Sequence, residues 1–150
     1  RLALESPQSA DAIARMTKTF QERRDIVVAG LTAIPGIRCQ NPRGAFYVFP
    51  NIAGVCRSLG IFDAFKGLPA DVRPKTSPST LFQLFLLFQY QVAVLDRKSF
   101  GRLGTEDLHY LRLSIATDTE SLKEGLGRIA AAAQDRQGFQ AYVSGGGKLY

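Results

Sequence analysis

Cysteine is scarce in this chain, which has only two among its 150 residues. Cys39 and Cys56 make neither a metal-binding quartet nor a disulfide framework, so we expect no metal site. A reducing, cytoplasmic setting is the simplest expectation for such a chain. Because Cys39 falls inside a predicted strand, we expect it to be a small buried thiol rather than a reactive one.

Long hydrophobic runs are also missing. The most apolar stretch, Leu81 to Leu87, is too short to span a bilayer and contains Gln83. No membrane partner is therefore expected. No signal peptide is visible, and the chain begins at Arg1 rather than at a methionine, so we expect it to be a piece of a longer protein.

The charge is basic but not clustered. Nineteen Lys and Arg against thirteen Asp and Glu give a net charge of +6. The densest basic groups are only Arg23-Arg24 and Arg97-Lys98, so the charge predicts a solvated surface and no nucleic-acid partner. A non-catalytic basic binding module remains an alternative, and it would bind acidic partners in a salt-sensitive way.

The stretch from His109 to Thr117 alternates as a β-strand does. Successive side chains of a strand point to opposite faces, which puts Leu111, Leu113 and Ile115 with His109 on one side. Arg112 then stands on the other face between Tyr110 and Ser114. A mid-strand arginine is expensive to bury unless it meets an anion or water, and its planar fork suits a carboxylate.

The remaining pattern predicts an α/β two-layer domain with a short mixed sheet backed by helices. A hairpin is expected from Ile37–Gln40 and Ala45–Phe49, with Gly44 free to take a positive φ in its turn. A third strand is predicted at Val92–Leu95. We expect residues 1–9 to be an irregular lead-in, residues 10–135 to be the domain, and residues 136–150 to be a flexible tail.

Three long helices are predicted in the domain, and Ile61 to Phe65 is a candidate for a short fourth one. The first runs from a cap at Ser9 or Asp11 to about Ala33. The second is capped by Ser79 and runs to about Tyr90. The third starts from a capping box of Thr117 and Glu120.

Several motifs follow one another in a particular order. They are Pro42-Arg43-Gly44-Ala45-Phe46-Tyr47-Val48-Phe49-Pro50, then Val92-Ala93-Val94 with Phe100-Gly101, then Leu111-Arg112-Leu113-Ser114-Ile115-Ala116-Thr117 before a capped helix. Together they resemble the C-terminal small domain of class I aminotransferases, the aspartate aminotransferase-like enzymes that use pyridoxal 5'-phosphate (PLP). The resemblance covers roughly residues 10–135.

The resemblance implies roles for three residues. Arg112 matches the family arginine that holds the α-carboxylate of the amino acid substrate. Gly44 and Phe46 match the turn and the aromatic residue that border the substrate site, although Phe46 could equally be core and Gly44 a simple hairpin glycine. Where many relatives have Pro-Gly-Ser before Phe-Gly, this chain has Asp96-Arg97-Lys98-Ser99.

The resemblance also implies what the chain does not supply. In the family, PLP is held by a lysine and a phosphate cup of the upstream large domain, and none of the six lysines here has that sequence context. We therefore expect a C-terminal fragment with no catalytic or cofactor-binding residue of its own, from an enzyme that transfers an amino group between an amino acid and a 2-oxo acid. The complete enzyme is expected to be a homodimer. A PLP-dependent lyase of the same fold is the alternative.

Overall fold

The structure is a computed structural model that describes residues 6–101 and 108–150. Its elements are helices with three very short strands interspersed among them. The helices are α1 (Pro7–Thr32), α2 (Ala53–Ser58), α3 (Ile61–Gly67), α4 (Pro78–Tyr90), α5 (Thr119–Ala132) and α6 (Arg136–Ser144). The strands are β1 (Tyr47–Val48), β2 (Leu95–Asp96) and β3 (Leu111–Ser114), and single 3₁₀ turns lie at Arg73–Lys75 and Arg97–Phe100.

The arginine strand β3 is the centre of the sheet. The strand order is β1-β3-β2, and β3 is antiparallel to both neighbours, with Tyr47 opposite Ser114 and Leu95 opposite Arg112. The α/β class is confirmed, but the expected mixed sheet is wrong because both pairings are antiparallel. The third predicted strand also begins later than expected, since β2 is Leu95–Asp96.

The expected hairpin does not form. Tyr47 and Val48 pair with β3, and the preceding stretch contributes only an isolated bridge in which Arg38 and Asn51 exchange backbone hydrogen bonds of 3.0 and 2.8 Å. The residue with positive φ in the connecting loop is Ala45, at 68°, and not Gly44. The sequence between the two segments is therefore a wide loop rather than a tight turn.

Helix α1 is buried only in its C-terminal half. It starts at Pro7, earlier than expected, where Ser6 Oγ accepts a hydrogen bond from the backbone N–H of Gln8. Val27 and Leu31 are buried in the core, whereas Ile13 and Met16 are each 55% exposed. The apolar stripe of this helix thus continues beyond the core.

Helix α4 is the apolar centre of the domain. Its large buried side chains are Leu81, Phe82, Phe85 and Leu86. The helix is capped by Ser77, whose Oγ accepts the N–H of Thr80 at 3.0 Å, rather than by the predicted Ser79. Pro78 explains this shift, because its fixed φ and missing N–H suit the first helical position.

The cap of α5 also differs from the prediction. Asp118, not Thr117, accepts hydrogen bonds from the backbone N–H and the hydroxyl of Ser121 at 2.8 and 2.6 Å. These bonds stabilise the carboxylate and lower the pKa of Asp118 to about 2. The capping role therefore falls to a charged side chain at the positive end of the helix.

The expected tail is partly a packed helix. Residues 136–144 form α6, in which Phe139 and Tyr142 are buried. The Phe139 ring meets the edge of Phe85 at 5.4 Å, and Asp135 caps the helix through the N–H of Gly138. Phe139, Tyr142 and Val143 follow the i, i+3, i+4 spacing of a helix, so the expectation of a flexible tail is wrong for residues 136–144.

The two cysteines differ in burial. Cys56 is fully buried, and burial raises the pKa of its thiol to about 12. Cys39 is half-buried rather than buried as expected.

Among residues 6–101 and 108–150, no helix is long and apolar enough to cross a membrane.

Candidate functional site

The two faces of β3 differ as its alternation predicts. Leu111 and, just after the strand, Ile115 are buried in the core at 2% and 1% exposure, whereas Arg112 on the opposite face is only half-buried. Tyr47 lies across from Ser114, and residues opposite one another in an antiparallel pair share a face of the sheet. Tyr47 is thereby placed on the same face as Arg112.

Two aromatic rings contact the guanidinium of Arg112. Its central carbon lies 5.3 Å from the ring centroid of Tyr47 and 4.8 Å from that of Phe100. Within residues 6–101 and 108–150, the guanidinium makes no ion pair and no hydrogen bond. Because cation–π contacts use no N–H donor, the donors of Arg112 are available to an anion.

The rings around Arg112 also hold one another. Phe49 stacks on Tyr110 at 5.3 Å with the planes 11° apart, and it meets Phe100 nearly edge-on at 6.1 Å. We call Tyr47, Phe49, Phe100 and Tyr110 the aromatic rim. Contacts of this kind favour a defined geometry beyond simple burial. Tyr47, Phe49 and Phe100 lie in the sequence motifs and Tyr110 directly precedes the last of them, but the alternation alone did not assign Tyr47 or Phe100 to the surroundings of Arg112.

The stretch from Asp96 to Ser99 brings Phe100 to this place. Asp96 is only 3% exposed and caps the turn Arg97–Phe100, accepting hydrogen bonds from the N–H and hydroxyl of Ser99 at 3.0 and 2.5 Å. Its other carboxylate oxygen accepts the hydroxyl of Thr80 on α4. Sequence reasoning singled out this stretch as unusual without assigning it a role. An Asp followed three residues later by the N–H that it caps is the signal that could have found it.

A cleft of about 1010 Å³ lies beside the aromatic rim. Tyr47, Phe49 and Tyr110 form part of its wall, and Arg38, Arg57 and Arg97 add positive charge, which favours an anionic ligand. Arg112 is not among the residues that line this cleft, and it is linked to the cleft wall through its contact with Tyr47.

The floor of the cleft is held by two glycines. A Cβ added to Gly54 would lie 2.6 Å from the carbonyl oxygen of Gly36, and Gly36 has a φ of +87°. Only glycine allows these two backbones to come so close. The start of α2 and the loop that follows α1 are therefore in close backbone contact at this point.

Gly44 and Phe46 lie at the side of this region that faces α1. Both line a groove of about 300 Å³ with Met16 and Arg24, and Gly44 also lines the larger cleft. Phe46 is 54% exposed and meets Tyr47 edge-on at 5.6 Å, so it touches the aromatic rim. The structure thus brings Gly44 to the cleft and connects Phe46 to Arg112 only through Tyr47.

The sequence matches the family model for aminotransferase class I and II over residues 2–129. This chain belongs to the class I and II aminotransferase family. The resemblance in its motifs and its fold class are thereby confirmed.

Individual relatives agree with this family. The aminotransferase chain is 44% identical over 130 residues to an aspartate aminotransferase of Rhizobium meliloti strain 1021, a match that covers 87% of this chain and 28% of the relative. It is 35% identical over 133 residues to a probable aspartate/prephenate aminotransferase of Aquifex aeolicus, covering 89% of this chain and 28% of that one. The chain therefore spans about 28% of the length of these curated relatives.

Solved structures show the same fold. The crystal structure of an aspartate aminotransferase from Rhizobium meliloti superimposes with a TM-score of 0.64 at 38% identity, covering 88% of this chain and 29% of that one. An aromatic aminotransferase from Pyrococcus horikoshii OT3 gives a TM-score of 0.68 at 29% identity, with 91% and 30% covered. The small antiparallel sheet and its helices are thus an arrangement found within larger enzymes.

The residues present do not by themselves fit PLP. This cofactor needs a lysine for its Schiff base, and within residues 6–101 and 108–150 no lysine lines the cleft next to the aromatic rim. Lys98 donates to the carbonyl of Pro74 at 2.7 Å, Lys123 pairs with Glu120, and Lys75 lies over the Tyr150 ring. The described side chains can hold an anion but offer no Schiff-base lysine beside it.

Proposed function

We propose that the aminotransferase chain is the substrate-holding part of a PLP-dependent aminotransferase, in which Arg112 binds the α-carboxylate of an amino acid and of the 2-oxo acid made from it. One observation carries this proposal. The guanidinium of Arg112 stands on the solvent-facing side of the sheet, against two rings, without an anionic partner in residues 6–101 and 108–150.

An arginine is well suited to this task. Two parallel N–H···O bonds fix both the position and the plane of a carboxylate, and they are stronger than bonds between neutral groups. Such a grip sets the direction of the bonds at the substrate Cα, which is what an amino-transfer reaction requires. PLP, when bound, supplies the electron sink for that reaction.

The other parts of the proposal concern the complete enzyme. PLP would be held mainly by residues outside this chain, since no lysine of this chain lines the cleft. Gly44 and Phe46 would border the substrate, with Phe46 acting through its contact with Tyr47. The complete enzyme is proposed to be a cytoplasmic homodimer whose partners are amino acids and 2-oxo acids.

The test is Arg112→Lys in the complete enzyme. Lysine keeps the charge but loses the bidentate fork, which costs about 1.5–3 kcal/mol of binding and therefore raises KM for the amino acid roughly 10- to 150-fold. PLP binding, measured by its absorbance, should not change. The matched control is Arg15→Lys on the exposed surface of α1, for which KM should stay the same.

An unchanged KM in Arg112→Lys would remove Arg112 from the site. The reaction type is tested separately by measuring 2-oxo acid formation with and without an added amino acceptor. Product that needs the acceptor supports transamination, whereas product formed without it would point to lyase chemistry.

A further inference from the structure

The position of Phe100 in the sequence does not by itself place its ring against Arg112. It stands at the end of the turn Arg97–Phe100, before Gly101, and is 43% exposed. An exposed aromatic side chain at the end of a short turn would ordinarily sample several rotamers. Its ring nevertheless lies 4.8 Å from the guanidinium carbon of Arg112.

The turn that carries Phe100 is anchored by one buried carboxylate. Asp96 accepts three hydrogen bonds, two from Ser99 and one from Thr80, and it is nearly inaccessible to water. Thr80 belongs to the first turn of α4, the most buried helix of the domain. The anchor therefore ties the position of Phe100 to the core rather than to the loop alone.

Asp96 is also paired directly with β3. Its partner across the sheet is Leu111, and the next backbone N–H, that of Arg97, donates to the carbonyl of Tyr110 at 3.0 Å. Asp96 thus sits one residue out of register with Arg112, on the opposite face of the sheet. The Asp96 carboxylate therefore anchors the turn on the core face of the sheet. The turn passes the edge of β2, so that Phe100 reaches the face that carries Arg112.

We propose that Asp96 is a positioning residue that holds Phe100 against Arg112 and thereby increases the affinity of Arg112 for a carboxylate ligand. Arginine loses much rotamer freedom when it binds, and a guanidinium already held by a ring has less to lose. The ring contacts the guanidinium without using its N–H donors, so it orders the side chain and leaves the fork for the ligand. This inference rests on the carboxylate-binding role of Arg112 proposed above.

The test uses the complete enzyme, labelled with ¹⁵N-arginine, and follows the Nε–H resonance of Arg112 by NMR. The resonance is assigned by its loss in Arg112→Lys. Succinate, a simple dicarboxylate, is then titrated into the wild type, Asp96→Asn, Phe100→Leu and the double variant. Phe100→Leu keeps an apolar side chain but removes the ring, so it isolates the contact with the guanidinium.

The expected result has two parts. The Arg112 resonance shifts in the same direction in Asp96→Asn and in Phe100→Leu, because both remove the ring current. The Kd for succinate rises by about three- to tenfold in each, as expected for loss of one cation–π contact. In the Phe100→Leu background, Asp96→Asn adds no further change, since its effect passes through the ring.

Asp135→Asn is the matched control. Asp135 is also a helix-capping carboxylate that accepts a backbone N–H and a hydroxyl, from Gly138 and Tyr90, but it lies at the start of α6. A purely structural effect of losing such a carboxylate should appear in both variants. We expect Asp135→Asn to leave the Arg112 resonance and the succinate Kd unchanged.

Two outcomes would overturn the inference. They are an unchanged Kd in Asp96→Asn and a Kd change that is just as large in the Phe100→Leu background. An Arg112 resonance that does not respond to succinate in the wild type would overturn the carboxylate-binding role of Arg112 and the inference with it. Failure of the amino-transfer function alone looks different. In that case succinate binding still depends on Asp96, while no amino transfer occurs or KM is insensitive to Arg112→Lys.

Discussion

The two faces of β3 are formed by alternate residues of one four-residue strand, and they have different roles. On one face Leu111 is buried, and the chain continues to the equally buried Ile115. On the other face Arg112 is half-buried, and the rings of the aromatic rim remain partly exposed, with Phe49 at 37% and Phe100 at 43%. The face with Leu111 contributes to stability. The face with Arg112 presents a charged group that contacts aromatic rings and has no anionic partner among the described residues.

This difference shows how a small domain can present an arginine without losing its fold. The apolar face belongs to the same hydrophobic core as α4, whose Phe82 and Phe85 are fully buried. The polar face is ordered by ring contacts, which need no burial of the N–H donors. We therefore expect substitutions on the two faces to separate stability from ligand affinity.

The largest effect on stability is expected from Leu111→Ala. Removing this buried side chain should lower the free energy of unfolding by about 2–5 kcal/mol through lost burial and a residual cavity. Urea unfolding of the purified chain, followed by tyrosine fluorescence, measures the change. Ser114→Ala, three residues along the same strand, is the control. Its exposed hydroxyl accepts only the N–H of Ala116, so the loss should be below about 1 kcal/mol. Equal losses would contradict the division between the faces.

An intermediate effect on stability is expected at Gly54, where two backbone segments come close together beside the cleft. Gly54→Ala places a Cβ 2.6 Å from the Gly36 carbonyl oxygen, and since backbone cannot rotate away as a side chain does, it should cost about 1–3 kcal/mol. Gly44→Ala is the matched control, because a Cβ there meets no atom within 4 Å and the residue has no positive φ. Thermal unfolding of both variants compares them. A neutral Gly54→Ala would mean that this side of the sheet is more adaptable than the close approach implies.

The smallest effect is expected at the edge of the core, from Tyr90→Phe. The Tyr90 hydroxyl donates to Asp135 at 2.7 Å, and its loss should cost about 0.5–1.5 kcal/mol. Burial, with the hydrogen bond and the charge of Asp135, raises the pKa of Tyr90 from 10.0 to about 12. The unfolded chain therefore loses its proton first, and the stability gained from Tyr90 is complete below pH 10 and is lost between pH 10 and 12.

The pH dependence provides the check on this assignment. Unfolding is measured at several pH values from 8 to 12, and the difference between wild type and Tyr90→Phe should shrink as the pH rises. Tyr142, whose pKa burial also raises, is present in both proteins and cancels in the comparison. A difference that stays constant to pH 12 would show that Asp135 and Tyr90 are not coupled.

Local sequence determined the elements whose signals lie within a few neighbouring residues. The alternation around Arg112 is of this kind, because the pleat of a strand sends successive side chains to opposite faces wherever the strand lies. The order of the motifs was likewise enough to indicate the family, which the comparisons confirmed. The apolar composition of α4 predicted burial for the same reason, and Leu81 and Phe82 are indeed inaccessible.

Tertiary structure decided what depends on residues far apart in the chain. Tyr47 pairs with Ser114 of β3, more than sixty residues later in the chain, and does not form a local hairpin with the segment before it. Phe139 and Tyr142 of α6 both contact the ring of Phe85, which lies far away in the sequence, and the local pattern does not specify that partner. Phe100 reaches Arg112 only because a carboxylate buried against α4 holds its turn. Such contacts are selected by the free energy of the whole packed domain, so the alternation could single out the arginine but not its surroundings.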